Sequence, residues 1–348
     1  MLLFFALSGL LISYSLLHKL DNPEYRFRNF FVDRFSRIYS GLLPAMLLGT
    51  IIAVTIYVTN YSYFMQLCTM QSTPSLLNLG MTVGMLEQRF PVGFFNSLLS
   101  IVGLSNLIPE VTPYGFNGIL WALVLEWWMY MIFGWIVIGS IGFVRKEKIS
   151  KSYKAIFLVV AAFLSLLIIG MFQQNSNFII VWFVGVLIML AISNRTLTLR
   201  LQSNRAKKII GILFVLSLAS TVYAIYAIFA WTNQYYDVSL GILLSACILL
   251  GILLLNGSSL NRVTKLISNK TAVSSITIGA SYSFTLFLTH YPIIIFLNGL
   301  NLPVNRFLMF LPILLITNLT AFSIAHFTEK KHKDLARTIK KWLHIPQC

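Results

Sequence analysis

The chain has 348 residues, of which 57% are apolar and 10% charged, against roughly 25% charged in soluble domains, so a soluble globular protein is excluded. Continuous apolar runs long enough to cross the ~30 Å hydrocarbon core as helices recur along it, which also excludes an outer-membrane barrel, whose strands alternate in hydropathy. The formal charge of +16, from 26 basic and 10 acidic residues, takes its meaning from where the charges lie.

In chain order, the apolar runs predict spans over 1–17 and 36–58, separated by a basic connection that holds five Lys and Arg between residues 19 and 37. Residues 59–93 form the longest connection; with Tyr61, Tyr63 and Phe64 they are expected to make a short helix that caps one membrane face. Further spans are predicted over 117–139, 154–172, 176–193, 208–230, 238–256, 279–299 and 306–327. Basic residues concentrate in the connections 145–154, 195–208 and 262–270 and in the tail from Lys330 to Lys341. Together with 19–37 these hold 24 of the Lys and Arg, and the remaining connections hold only Arg89 and Arg306.

Cytoplasmic loops retain positive charge, so those five connections are expected in the cytoplasm and the basic balance is topological, which argues against a nucleic-acid partner. Residues 94–108, FFNSLLSIVGLSNLI, are apolar enough for a tenth crossing. A crossing there would put the Arg145 to Lys154 cluster outside, so the segment is expected to be re-entrant or interfacial. The fold class is therefore all-α: a polytopic membrane protein of about nine transmembrane helices, forming a single membrane-embedded domain over 1–348. Residues 328–348 make a basic cytoplasmic tail, and Met1 falls on the far face directly inside an apolar run. Cys68, Cys247 and Cys348 have no paired spacing, so neither a disulfide framework nor a metal site is expected.

Ionisable groups inside spans are costly and mark function more often than packing. Glu126, in NGILWALVLEWWMYMIF, is the one acid predicted in mid-span, flanked by Trp121, Trp127, Trp128 and Tyr130. Tyr130 at i+4 can neighbour its carboxylate on a helix. The alternative is an interhelical hydrogen bond from a protonated Glu126. His290, in SYSFTLFLTHYPIII, is the histidine well inside a span, and a neutral imidazole there can serve as a hydroxyl's base. The plainer reading is that it satisfies a backbone group next to Pro292, where the helix loses a hydrogen bond. Arg34 and Arg37, in FFVDRFSRIYS, share one helix face and make a fork suited to phosphate. With Arg26 and Arg28 upstream the cluster suits a polyphosphate such as coenzyme A, and the competing reading is an ordinary positive-inside anchor.

LFFALSGLLISYSLL followed by FFVDRFSRIYS resembles the FFVLSGFLI and RRxxRIYP blocks of the membrane-bound acyltransferase 3 family, which includes sugar O-acetyltransferases of bacterial envelopes. LWALVLEWWMY is similar to its LWSLSVEWxFY block, SYSFTLFLTHYPI to its SYSLYLxHWP block, and AFSIAHFTEKK to its closing SYxxIERP block. Trp121, Glu126, Arg34, Arg37, His290 and Glu329 are retained, whereas Ala122 and Val124 replace the hydroxyls of the third block and Lys330 the closing proline. The resemblance implies ten spans, with an arginine and a catalytic histidine on the first, so it begins at the second. A segment upstream of Met1 is accordingly expected.

What the resemblance implies is an acyl-CoA-dependent O-acetyltransferase of the bacterial inner membrane, its C-terminus cytoplasmic, acting on a saccharide or lipid-linked envelope glycan. Acetyl-CoA is the donor, no metal is used, and membrane lipid and the glycolipid acceptor are the partners. Glu126 and His290 would be catalytic, Arg34 and Arg37 would hold the acyl-CoA phosphates, and Trp121 and Tyr130 would line the substrate site. The alternatives are a glycolipid or small-molecule transporter or flippase, and an inactive truncated member of the family.

Overall fold

A computed structural model describes residues 2–71, 114–144, 159–160, 177–193, 203–231, 243, 246–247, 250–251, 270–300 and 306–346. All regular structure among the described residues is helical. The helices are α1 (Leu2–Lys19), α2 (Phe27–Thr59), α3 (Tyr61–Gln71) and α4 (Leu120–Val144), then α5 (Asn177–Ser193). They continue as α6 (Asn204–Trp231), α7 (Lys270–Gly299), α8 (Arg306–Phe327) and α9 (His332–Trp342), with short 3₁₀ turns at Tyr114–Phe116 and Glu329–Lys331. Six described helices are long and apolar enough to cross a membrane, which makes this an all-α membrane protein. The predicted spans at 154–172 and 238–256 and the apolar segment 94–108 lie almost wholly outside the described residues.

α2 and α7 both begin nine residues before the predicted spans at 36 and 279. Hydropathy marks where apolar sequence begins, whereas a helix also extends through polar residues when packing supports it. The expected short helix after residue 59 is α3, whose Phe64 packs with Ile52, Ile56 and Phe116. Asn60 joins α2 to α3 and donates to the Gly299 carbonyl at the end of α7, at 3.0 Å. A Cβ at Gly299 would meet the Tyr63 ring at 2.7 Å, so only glycine admits that ring. Burial, with Tyr291 beside it, raises the Tyr63 phenol above its ordinary range.

The chain folds as two compact units. The first, Met1–Tyr25 with Gly134–Ser274, contains a very close helix contact: a Cβ at Gly9 would lie 2.1 Å from the Trp182 carbonyl oxygen, and one at Gly185 2.1 Å from that of Ala6. α1 and α5 thus meet backbone to backbone, the small-residue packing that substitutes in lipid for a hydrophobic driving force. Trp182 is fully buried and its indole donates to Ser8 Oγ at 3.3 Å. α6 exposes Ile212, Val215, Leu216 and Tyr223, an apolar surface suited to lipid.

The second unit, Arg26–Phe133 with Ser275–Cys348, contains the sequence-predicted site residues. α7 and α8 are tied by the Tyr282 hydroxyl, which donates to Asn318 at 3.1 Å. α9 docks on the start of α2 through Val32, Ala336, Ile339 and Ile345. Lys340 pairs with Asp33 at 2.7 Å, both largely buried, and Asn29 donates to the Pro346 carbonyl at 2.7 Å. The predicted basic tail is therefore a folded part of this unit, and its amphipathic sequence explains why: Ala336, Ile339 and Lys340 are covered while Lys333, Arg337 and Lys341 are exposed.

Candidate functional site

The site is built on α2 and α4. Arg34 meets Tyr130, and sixteen residues further along α2 the Thr50 hydroxyl meets the Tyr114 hydroxyl at 2.7 Å. The partners descend in sequence as α2 ascends, so α2 and the segment entering α4 run antiparallel. α2 presents Phe31, Phe35 and Tyr39, spaced by four, as a column against Trp127 of α4. Phe35 stacks on Phe31 and Tyr39 with ring centres 5.9 and 4.2 Å apart, and Trp127 meets Tyr39 edge-on at 5.6 Å. Aromatic pairs of this kind contribute roughly 0.5–1.5 kcal/mol beyond area burial, and this column holds Trp127, the neighbour of Glu126, against α2.

Glu126 is 4% exposed. The i, i+4 spacing expected from the sequence is realised: the Tyr130 hydroxyl donates a hydrogen bond to Glu126 Oε1. The Arg34 guanidinium lies over the Tyr130 ring, 5.8 Å from its centre, and 5.6 Å from that of Phe30. Arg34, Tyr130 and Glu126 thus form one chain of contacts from cation to aromatic ring to carboxylate. A guanidinium suits this position because its planar charge lies well over aromatic faces. Trp121, five residues before Glu126, is half-buried.

The two arginines expected to act as a fork differ in environment: Arg34 is half-buried and Arg37 exposed. Sharing one helix face does not place both guanidiniums in the same surroundings, because only the neighbour across the interface decides which is covered.

His290 lies on α7, half-buried. Its Nδ1 is 3.0 Å from the Leu286 carbonyl oxygen; a carbonyl only accepts, so Nδ1 carries the proton and Nε2 is the acceptor nitrogen of the neutral ring. Phe287 lies beside it at 6.3 Å between ring centres. Among the described residues Glu126 is not one of its hydrogen-bond partners.

The backbone group freed by Pro292 has a different partner from the one expected. Pro292 lacks the N–H that the Leu288 carbonyl would accept, and Asn117 Nδ2 donates to that carbonyl at 2.8 Å. Asn117 is 2% exposed, and its Oδ1 also accepts from the Ile119 N–H at 3.3 Å at the start of α4. One side chain therefore serves both the turn that leads into α4 and the carbonyl that Pro292 leaves open inside α7. Sequence reasoning missed it, although a proline inside an apolar run is itself a signal that some donor elsewhere must serve the orphaned carbonyl.

Glu329, retained from the closing block but beyond the last predicted span, is a packed residue in the structure. It is 5% exposed, and its Oε2 accepts from Thr285 N–H at 3.1 Å and from Thr285 Oγ1 at 2.7 Å. It thereby anchors the turn after α8 to α7, five residues before His290.

No curated protein and no solved structure matches the chain. Residues 1–326 match the family model Acyl_transf_3, described as an acyltransferase domain. With that match covering most of a helical membrane chain, the protein belongs to the acyltransferase 3 family and is a membrane acyltransferase.

Proposed function

We propose that the chain transfers an acetyl group from acetyl-CoA to a hydroxyl of a saccharide or lipid-linked envelope glycan. It would do so in the plasma membrane of a bacterial cell, with its C-terminus in the cytoplasm. The observation that carries this reading is the contact chain Arg34, Tyr130, Glu126, which puts a cation and a carboxylate on facing helices of an apolar chain with few such groups.

In this reading the acceptor oxygen attacks the thioester carbonyl carbon, the C–O bond forms, the C–S bond breaks, and the hydroxyl proton ends on the departing sulfur. A neutral imidazole can carry that proton, and the His290 ring, with Nδ1–H held by the Leu286 carbonyl, offers Nε2 for it. Glu126, held by Tyr130, orients the reacting groups. Arg34 and Arg37 hold the donor's phosphates, Arg34 from beside the ring of Tyr130 and Arg37 from the exposed face. Trp121 and Tyr130 line the space that the acceptor enters.

The test is purified chain in vesicles with radiolabelled acetyl-CoA and membrane glycolipid. Label recovered on glycan, sensitive to Glu126→Gln, supports the reading. Glycolipid crossing the bilayer without modification would replace it with transport.

A further inference from the structure

We infer that the corner where α9 docks on the start of α2 binds an anionic phospholipid of the surrounding leaflet. The inference does not rest on the acyl-transfer reading, although Arg34 and Arg37 belong to both, and its test reads lipid instead of catalysis. Docking brings together two basic stretches almost 300 residues apart in sequence: four arginines between Arg26 and Arg37, and six basic residues between Lys330 and Lys341. The acids inside these stretches are Asp33 and Asp334, against ten basic residues, and both are paired: Asp33 with Lys340 and Asp334 with Arg337, each at 2.7 Å. The corner is therefore strongly positive, and juxtamembrane clusters of this kind attract anionic lipid.

The same corner holds an apolar groove of about 290 Å³, lined by Phe27, Arg28, Phe31, Val32, Leu343 and Ile345. Val32 and Ile345 are its buried floor, while Phe31 at 39% and Leu343 at 46% exposed form its rim. Arg28, exposed, is the one charged residue lining it. An acyl chain fits such walls, and a phosphate fits a guanidinium, which can bind it bidentately. The volume is at the small end of the ~300–1,000 Å³ of ligand pockets, which suits one end of a lipid.

Trp342, adjacent to the groove's Leu343, is 79% exposed. Only four residues separate α9 from the end of the apolar α8, so it emerges at the membrane boundary, where indoles and basic side chains concentrate. A zwitterionic lipid brings its own cation into this positive corner, so the preference is for a net negative headgroup.

The experiment extracts the full chain from bilayers of equal phosphatidylglycerol and phosphatidylcholine and counts retained lipid by native mass spectrometry. Phosphatidylglycerol should be retained in preference, and this wild-type comparison needs no variant. Arg28→Gln should weaken retention about fivefold, the effect of one basic residue near an anionic surface. Leu343→Glu should abolish it by placing a carboxylate at the rim. Brominated phosphatidylglycerol should quench the fluorescence difference between wild type and Trp342→Phe. Equal retention of both lipids, or retention unchanged in Arg28→Gln, would overturn the inference. So would one-for-one displacement of the lipid by acetyl-CoA, which would assign the groove to the donor.

Discussion

Asn117 and Pro292 offer a sharp test of how the site is held. Replacing Asn117 by Leu keeps size and burial but removes the Nδ2 donor that serves the Leu288 carbonyl at 2.8 Å. Leu288 is fully buried, so water cannot substitute, and an orphaned buried acceptor costs about 1–3 kcal/mol. The substitution also removes the Asx-turn acceptor that caps the Ile119 N–H, worth about 0.5–1.5 kcal/mol net. The two costs separate in a Pro292→Ala background, where residue 292 regains an N–H and the Leu288 carbonyl regains its helical partner. There Asn117→Leu should cost only its capping share.

The expected coupling is about 1 kcal/mol, between the ~0.6 average and ~1.7 maximum of polar pairs in membrane helices. The assay is equilibrium unfolding of the four proteins of the cycle in mixed micelles, with free energies from linear extrapolation. If Asn117→Leu costs the same in both backgrounds, within the ~0.3–0.5 kcal/mol of ordinary additivity, Asn117 acts only as a cap and the account of the helix break is wrong.

Glu126→Gln should keep the fold and lose most acyl transfer, because the amide cannot ionise; Tyr130→Phe, which deletes the hydroxyl that donates to Glu126, should lose less, and rates near wild type for the first would reduce Glu126 to packing. Arg34→Lys should weaken acyl-CoA binding more than Arg37→Lys, since a lysine keeps the charge but not the planar contact with Tyr130 and Phe30; titration calorimetry in detergent decides, beside a topology reporter that should not change for either. Gly9→Ala should sharply reduce folded yield, its Cβ falling 2.1 Å from the Trp182 carbonyl, whereas Gly279→Ala meets nothing within 4 Å and should match or exceed wild type, alanine being favoured by up to ~1 kcal/mol in helices. Size-exclusion profiles after identical extraction compare the two.

The helical membrane character of this protein was legible in its sequence because a bilayer demands long apolar runs with internally satisfied backbones. Periodicity alone also placed Tyr130 against Glu126, since neighbours at i and i+4 depend only on helix geometry. The family was legible in ordered words such as LWALVLEWWMY. Interhelical partners were not, because nothing in hydropathy says which faces meet. Arg34 over Tyr130, Asn117 under the carbonyl freed by Pro292, and Glu329 on Thr285 each join residues from different parts of the chain, at separations of 96, 171 and 44 residues. Asp33 and Lys340 looked like two loop charges in sequence, yet packing of α9 on α2 makes them a largely buried pair. A local pattern determines what a residue can touch within its own helix; only tertiary packing, in which each helix buries one face against a particular neighbour, decides which of two similar arginines is covered and which polar side chain completes another helix's backbone.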